Sequence, residues 1–430
     1  MIMDCLKIKD GNLYIDDCNT VSLAKKYGTP LYVFSETSIR NAMKDYKKSI
    51  DKYYDGNGNV LYASKAFSCK EMYRIAKSEG IFVDCVSMGE IYTAISAGFN
   101  PEHIFFHGNN KTPEELDYAL NNGVGRIVID NFDELNTVDK LSKKKGIKAN
   151  VLVRITPGID AHTHDYIKTG RVDSKFGFAI TTGDALKAIR ETLKKENVAL
   201  MGLHCHIGSQ IFETEPFEDC AVIMLKFIAE IKNKFGAEIK ELNLGGGFGI
   251  QYISEDDPLK YSSFMKKVSV AVKEAASYLN ITTPKIFIEP GRSIVGPAGL
   301  TLYTVGNVKQ IENVRNYVAV DGGMSDNPRY ALYDADYTFV VANKAENDAD
   351  YLATIAGKCC ESGDLLAEDV YIQKPKKDDI LAVLATGAYN YSMASNYNRI
   401  PRPAVVMVKG DKDRVIVRRE SYEDIISNDL

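Results

Sequence analysis

From about residue 59 to residue 291, short apolar runs alternate with longer amphipathic stretches. The runs are NVLYAS (59–64), IFVDCVS (81–87), HIFFHG (103–108), RIVIDN (126–131), ANVLVRI (149–155), LMGLHCHIG (200–208), EIKELNLGGG (238–247) and KIFIEPG (285–291). Their length and their branched and aromatic content predict buried strands. Between them, stretches such as CKEMYRIAKSEG and DCAVIMLKFIAEIKNKFG place apolar residues at helical spacing. Eight strand–helix units in succession predict a parallel sheet closed into a (β/α)8, or TIM, barrel.

After Gly299 the rhythm changes. LTLYTVGNVKQ, NYVAVDGG, TFVVAN, YLATIAG, DILAVLATG, AVVMVKG and RVIVRRE follow one another with no long helical stretch between them. This predicts an antiparallel β-domain of sandwich or barrel type. The first 35 residues alternate like strands as well (NLYIDD, PLYVFSE) and are expected to join it. The predicted frame is α/β plus all-β: a barrel over 36–292, inserted between residues 1–35 and 293–430 of the β-domain. No low-complexity linker or internal repeat interrupts it.

Composition narrows the classes of function. A chain of 430 residues with 45% hydrophobic content can build two cores. A net charge of −5 and the lack of any basic run argue against a nucleic-acid partner. The opening MIMDCLKIKDGN is broken by charges at once, so it reads as neither signal peptide nor anchor. No apolar run approaches the roughly 20 residues that span a bilayer. No membrane partner and a cytoplasmic location are therefore expected. The eight cysteines, spread from Cys5 to Cys360 without framework spacing, fit free thiols in a reducing compartment.

Barrel enzymes carry their chemistry at the C-terminal ends of the strands. The first strand runs into YASKA, placing Lys65 on the face of Leu61 and Ala63 if alternation continues. A lysine there is either a solvated loop residue or, partly desolvated, an amine able to form a Schiff base with an aldehyde cofactor. HCHIGS puts His204 and His206 two apart, and HTHD repeats that spacing at His162 and His164. Such pairs are either hydrogen-bonded core histidines or ligands of a catalytic zinc. In LNLGGGFG, Gly245, Gly246 and Gly247 permit positive φ and leave amides uncovered for a phosphate. IEPGRS places Glu289 inside the mouth, where a carboxylate needs a partner, with Arg292 three residues on. One cofactor unites the set. Lys65 would hold an aldehyde, His206 could lie against a ring, and the glycines could take a phosphate. Glu289 would keep a pyridine nitrogen protonated, so that the ring can accept a carbanion's electrons. A zinc site leaves Lys65, the glycines and Glu289 without a shared purpose.

With these motifs the chain resembles the alanine-racemase-like, fold type III pyridoxal 5'-phosphate (PLP) enzymes, and within them the diaminopimelate decarboxylase family. The resemblance runs from YASKA through HCHIGS, GGGFG and EPGR to the far end. It implies PLP on Lys65, His206 stacked on the ring, and Asp84 (VDCVSMGE) positioning lysine and ring. Ser209, Gly245, Gly246, Gly247, Gly291, Arg292 and Tyr389 (TGAY) would lie near the phosphate. HGNNK (107–111) and DAHTHDYIKTG (160–170) also resemble family segments, which removes the claim of the second histidine pair on zinc. NPRYALY supplies Arg329 and Tyr333, implied to bind a substrate carboxylate together with Arg292. CESGD supplies Cys360, the implied proton donor, and Glu361. Both are implied to reach into the partner subunit of a head-to-tail homodimer with shared active sites. One departure is GKCC before CESGD, where relatives often carry proline. Cys359 is expected to point away from Cys360 if the strand continues.

The implied reaction is PLP-dependent decarboxylation of meso-2,6-diaminopimelate at its D-centre, giving L-lysine and CO2 as the last step of lysine biosynthesis. The alternatives are a related decarboxylase of ornithine, arginine or a carboxylated polyamine, a racemase, a catalytically dead binding homologue, and a zinc hydrolase. The first leaves Arg329 without a carboxylate. The second sets an arginine against the pyridine nitrogen, where this chain has Glu289. The third is at odds with the joint retention of Lys65, His206, Glu289 and Cys360.

Overall fold

A computed structural model describes residues 2–159 and 174–430. The segment DAHTHDYIKTG, with His162 and His164, lies outside them. The chain divides into two compact units. One comprises Ala42–Gly249 and Pro258–Gly291, the other Met1–Asn41, Ile250–Asp257 and Arg292–Leu430.

The first unit is a closed barrel. Its strands are Gly58–Ala63 (β1), Phe82–Cys85 (β2), Ile104–Phe106 (β3), Arg126–Ile129 (β4), Ala149–Thr156 (β5), Val198–His204 (β6), Glu241–Asn243 (β7) and Lys285–Ile288 (β8). Each pairs in parallel with the next, and β8 returns to β1 with Phe287 opposite Asn59. All eight predicted strands are present. Sequence chemistry starts the helices between them: Ser87 accepts from the Glu90 amide, Asn131 from the Glu134 amide, and Thr112 forms a reciprocal capping box with Glu115. Leu61, Phe105, Val128, Leu152 and Phe287 fill the barrel interior as one apolar cluster, with the Phe105 and Phe287 rings 5.0 Å apart. This packed floor leaves chemistry to the other end of the strands.

The second unit is a β-structure. Its main sheet runs in the order Leu365–Ile372, Tyr351–Ala356, Arg315–Val320, Gly299–Ile311, Leu31–Ser35, Ala404–Lys409 and Lys412–Val417. Most pairings are antiparallel. Two are parallel, Leu31–Ser35 with Ala404–Lys409 and Arg315–Val320 with Tyr351–Ala356, so the sheet is mixed. Leu31, Val33, Leu302, Val318, Val383 and Val406 belong to its core. The N-terminal segment contributes Leu31–Ser35 to this sheet, but it also forms the helix Thr20–Tyr27. Asn19 caps that helix and Gly28 ends it at φ 72°. Among the described residues no helix is long and apolar enough to cross a membrane.

Candidate active site

In the barrel unit, β1 stops at Ala63, and Ser64–Ala66 form a 3-10 turn. The alternation expected to carry through to residue 65 therefore ends two residues early, and Lys65 is exposed rather than partly desolvated. The turn is pinned from below. Ser64 Oγ stands 2.6 Å from the Asp84 carbonyl and 2.9 Å from Glu90 Oε2, which also accepts from the Val86 amide at 2.7 Å. Burial pushes the Glu90 carboxyl up to about 7. Gly291 packs on the same strand end; a β-carbon there would fall 2.9 Å from that of Ala63.

Glu289, just past β8, is 8% exposed. Its Oε1 accepts from Asn243 Nδ2 at 2.6 Å and stands 2.9 Å from His107 Nε2. Its Oε2 is 3.3 Å from His204 Nε2. Burial would raise this carboxyl, yet His107 and His204 beside it hold it well below the usual range. Asp84 lies in β2, buried, with its own carboxyl raised by burial and its Oδ1 lacking a hydrogen-bond partner. His204 and His206 do not act as a pair. β6 ends at His204, which turns to Glu289, while His206 Nδ1 accepts from the Gly246 amide at 3.3 Å. Burial, and then the charge of Lys65, hold His206 neutral.

The glycine run corrects one expectation. Gly245 and Gly247 do take positive φ, 71° and 114°. Yet the Gly245 amide already donates to Asn243 Oδ1 at 2.9 Å, and the Gly246 amide goes to His206, so two of the three amides have acceptors. Close packing also demands glycine here, since a β-carbon on Gly246 would fall 2.1 Å from the Glu289 carbonyl. Ser209, half-buried, lies in the loop after β6.

In the β-unit, Arg292 and Arg329 are buried and share Tyr252, whose Oη accepts from Arg292 Nη1 at 2.6 Å and Arg329 Nη1 at 3.1 Å. Arg329 also donates to Tyr337 Oη at 2.7 Å. The ring of Tyr389, a residue at φ 71°, lies 4.9 Å from the Arg292 guanidinium and 5.9 Å from that of Arg329. Burial alone would raise the Tyr252 phenol, but the two guanidiniums pull it below its ordinary value. Tyr333 ends the short helix Arg329–Tyr333 and is half-buried.

The CESGD segment is a loop, because its strand stops at Ala356. Cys359 is buried and Cys360 exposed, so the turn and not strand alternation separates them. Glu361 is exposed too. Asp364 clamps the loop: Oδ2 accepts from the Cys359 amide and Oδ1 from the Met324 amide, both at 2.6 Å.

His107, Asn243, Glu90, Tyr252, Tyr337 and Asp364 were not singled out from the sequence. His107 opens HGNNK and Glu90 closes VDCVSMGE, so these motifs carried a signal. The isolated tyrosines carried none.

A buried carboxylate kept ionised, a neutral imidazole, a glycine turn and an amine after β1 fit a phosphorylated aldehyde with a basic ring nitrogen. Asp84 adds a buried carboxylate oxygen without a hydrogen-bond partner. Comparison with known proteins agrees. The profile for "Pyridoxal-dependent decarboxylase, pyridoxal binding domain" matches residues 36–296. Fold and site thus define a PLP-dependent decarboxylase of fold type III. The diaminopimelate decarboxylase of Bacillus subtilis (strain 168) is 51% identical over 98% of this chain and 95% of that protein. That of Bacillus methanolicus is 52% identical over 95% of each. The structure of diaminopimelate decarboxylase from M. jannaschii in complex with L-lysine superposes with a TM-score of 0.92 at 34% identity, covering 100% of this chain and 98% of that one. The chain belongs to the diaminopimelate decarboxylase family, and it is a PLP-dependent carboxy-lyase.

Proposed function

We propose that this enzyme decarboxylates meso-2,6-diaminopimelate at its D-configured centre, giving CO2 and L-lysine. The observation that carries the reading is Glu289, buried in the barrel mouth and held as an anion by Asn243, His107 and His204. PLP, when bound, supplies a carbonyl carbon for the substrate amine and a ring that takes up the electron pair of the broken Cα–carboxylate bond. Lys65 is the anchoring amine, exposed and therefore reachable. Glu289 keeps a proton on the ring nitrogen, and Asp84 orients lysine and ring. His206, neutral, would lie against the ring. Ser209, the Gly245–Gly247 turn, Gly291 and Arg292 serve the phosphate, with the Gly247 amide the one not already taken by Asn243 or His206. Tyr389 serves both cofactor and substrate.

Arg329, with Tyr333 and Arg292, recognises the distal carboxylate. Its partners within the unit are phenols, so a substrate carboxylate would be its first full counter-charge. The enzyme acts in the cytoplasm as a head-to-tail homodimer. Cys360 and Glu361, both exposed, serve the partner subunit's site, Cys360 as donor of the proton to Cα and Glu361 facing the distal ammonium. In this reading residues 36–292 are the cofactor-binding domain, and 1–35 with 293–430 the β-domain.

The test is direct. Purified protein with PLP should be yellow and should release CO2 and L-lysine in equal amounts from meso-diaminopimelate. Borohydride reduction and peptide mapping should tag Lys65. Absence of lysine, or a tag on another lysine, overturns the assignment. Lys65→Ala should fold yet lose covalent cofactor and nearly all turnover.

A further inference from the structure

We propose that His107, the residue after β3, is a positioning residue that keeps Glu289 ionised and aimed at the ring nitrogen of the cofactor. Asn243 fixes the carboxylate's orientation and His204 closes its second side. The inference rests on the PLP reading above and adds a role for a residue which that reading leaves idle.

The geometry divides the work among three partners. Asn243 Nδ2 is neutral and, at 2.6 Å from Oε1, sets the plane of the carboxylate. His204 cannot supply charge, because burial pushes it down to about 4. Its Nδ1 has no hydrogen-bond partner, which assigns its single proton to Nε2, facing Glu289 Oε2 at 3.3 Å. His107 is different. Burial would lower it as well, but Asp84 and Glu289 together outweigh burial and raise it above its ordinary value. These carboxylates favour its charged form, and its Nε2 lies 2.9 Å from Oε1, with its ring edge-on to that of His204 at 4.8 Å and 73°.

The charges around this group make the role necessary. Glu289 and Asp84 are both buried, and each raises the other's appetite for a proton. Two such carboxylates without a shared cation keep one proton between them. The other cations that act on Asp84 are Lys65 and Arg154. Lys65 is committed to the cofactor, and Arg154 lies 3.9 Å from Asp130. Arg154 also acts on both carboxylates but lies against Asp130, whereas His107 stands within 2.9 Å of Glu289 itself. Without His107, Glu289 takes up a proton and can no longer hold one on the ring nitrogen. Oε2, with a single 3.3 Å contact, keeps acceptor capacity for that nitrogen.

The measurement is the 15N chemical shift of enzyme reconstituted with ring-15N PLP, followed across pH without substrate. Wild type should keep the ring nitrogen protonated well into the alkaline range. His107→Ala should let it deprotonate around neutrality. Its kcat should fall roughly 10- to 100-fold with KM little changed, the size seen when outer partners of metal ligands are removed. His107→Gln retains a donor and much of the volume but no charge. It should hold the fold and the cofactor, yet show the same early deprotonation, and it decides the matter if the alanine variant fails to fold. A ring nitrogen that stays protonated in His107→Gln as in wild type overturns the inference. Failure to form lysine from meso-diaminopimelate, with the wild-type nitrogen protonated and sensitive to His107, would sink the substrate reading and leave this one standing.

Discussion

Glu90 shows how one half-buried side chain sets behaviour that no fully exposed residue could. It holds the strand end before Lys65 through Ser64 Oγ and the Val86 amide, and its carboxyl titrates near 7 against an ordinary 4.5. The folded state therefore prefers the protonated form. Its contribution to stability is complete below about pH 4.5 and is lost as pH rises through about 7. Glu90→Gln, which cannot ionise, removes this dependence. The thermal midpoint of wild type relative to Glu90→Gln should thus decline between about pH 5 and about pH 8. A difference that is flat with pH would show that Glu90 titrates normally. At this scale the sequence drew attention to residues where chemistry comes as a motif: Lys65 in YASKA, His206 in HCHIGS, Glu289 in EPGR. It was silent on Tyr252 and Tyr337. Each is a lone tyrosine in an undistinguished loop, and its role arises from folding beside Arg292 and Arg329.

Two loops far apart in sequence are tied by a single carboxylate in the β-unit. Asp364 accepts the Met324 and Cys359 amides, and a β-carbon on Gly323 or Gly357 would fall 2.4 Å or 2.2 Å from its oxygens. The loop that leads to Arg329 and the loop that presents Cys360 are thereby held as one element. Asp364→Asn keeps the shape but loses a charge-assisted acceptor. Hydrogen bonds to charged groups contribute roughly 1.5–3 kcal/mol each, so the variant should unfold at clearly lower denaturant concentration. Gly357→Ala should do the same by steric conflict. Unchanged stability in both would mean the clamp is slack. Strand prediction succeeded in the barrel because each strand is a short apolar run bounded by helical spacing. It missed Leu365–Ile372, where Asp369 sits at φ 51° and the register slips against Tyr351–Ala356, so no clean alternation survives. It also missed the helix Thr20–Tyr27, although Asn19 and Gly28 mark its ends. The parallel pairing of Leu31–Ser35 with Ala404–Lys409 joins opposite ends of the chain, which no local pattern encodes.

For the whole molecule, the proposed homodimer has Cys360 and Glu361, both exposed, complete the partner subunit's site. Mixing inactive Lys65→Ala and Glu361→Ala chains should then restore activity on subunit exchange, because one site of each mixed dimer carries neither defect. Heterodimers that stay inactive would place each site within one chain. The reaction and its substrate are tested by kcat/KM for a panel of amino acids. Wild type should act on meso-diaminopimelate and leave L-lysine, L-ornithine and L-arginine essentially untouched, because in the proposed reading those molecules leave Arg329 without its carboxylate. Sites built for a polar group reject analogues that lack it by roughly 10⁴-fold or more. Arg329→Ala should cut meso-diaminopimelate turnover severely and narrow that gap. Arg329→Lys should recover only part, because an ammonium lacks the two-pronged geometry. A wild-type preference for ornithine or arginine, or a preference that Arg329→Ala leaves unchanged, would rule out meso-diaminopimelate as the substrate that Arg329 selects.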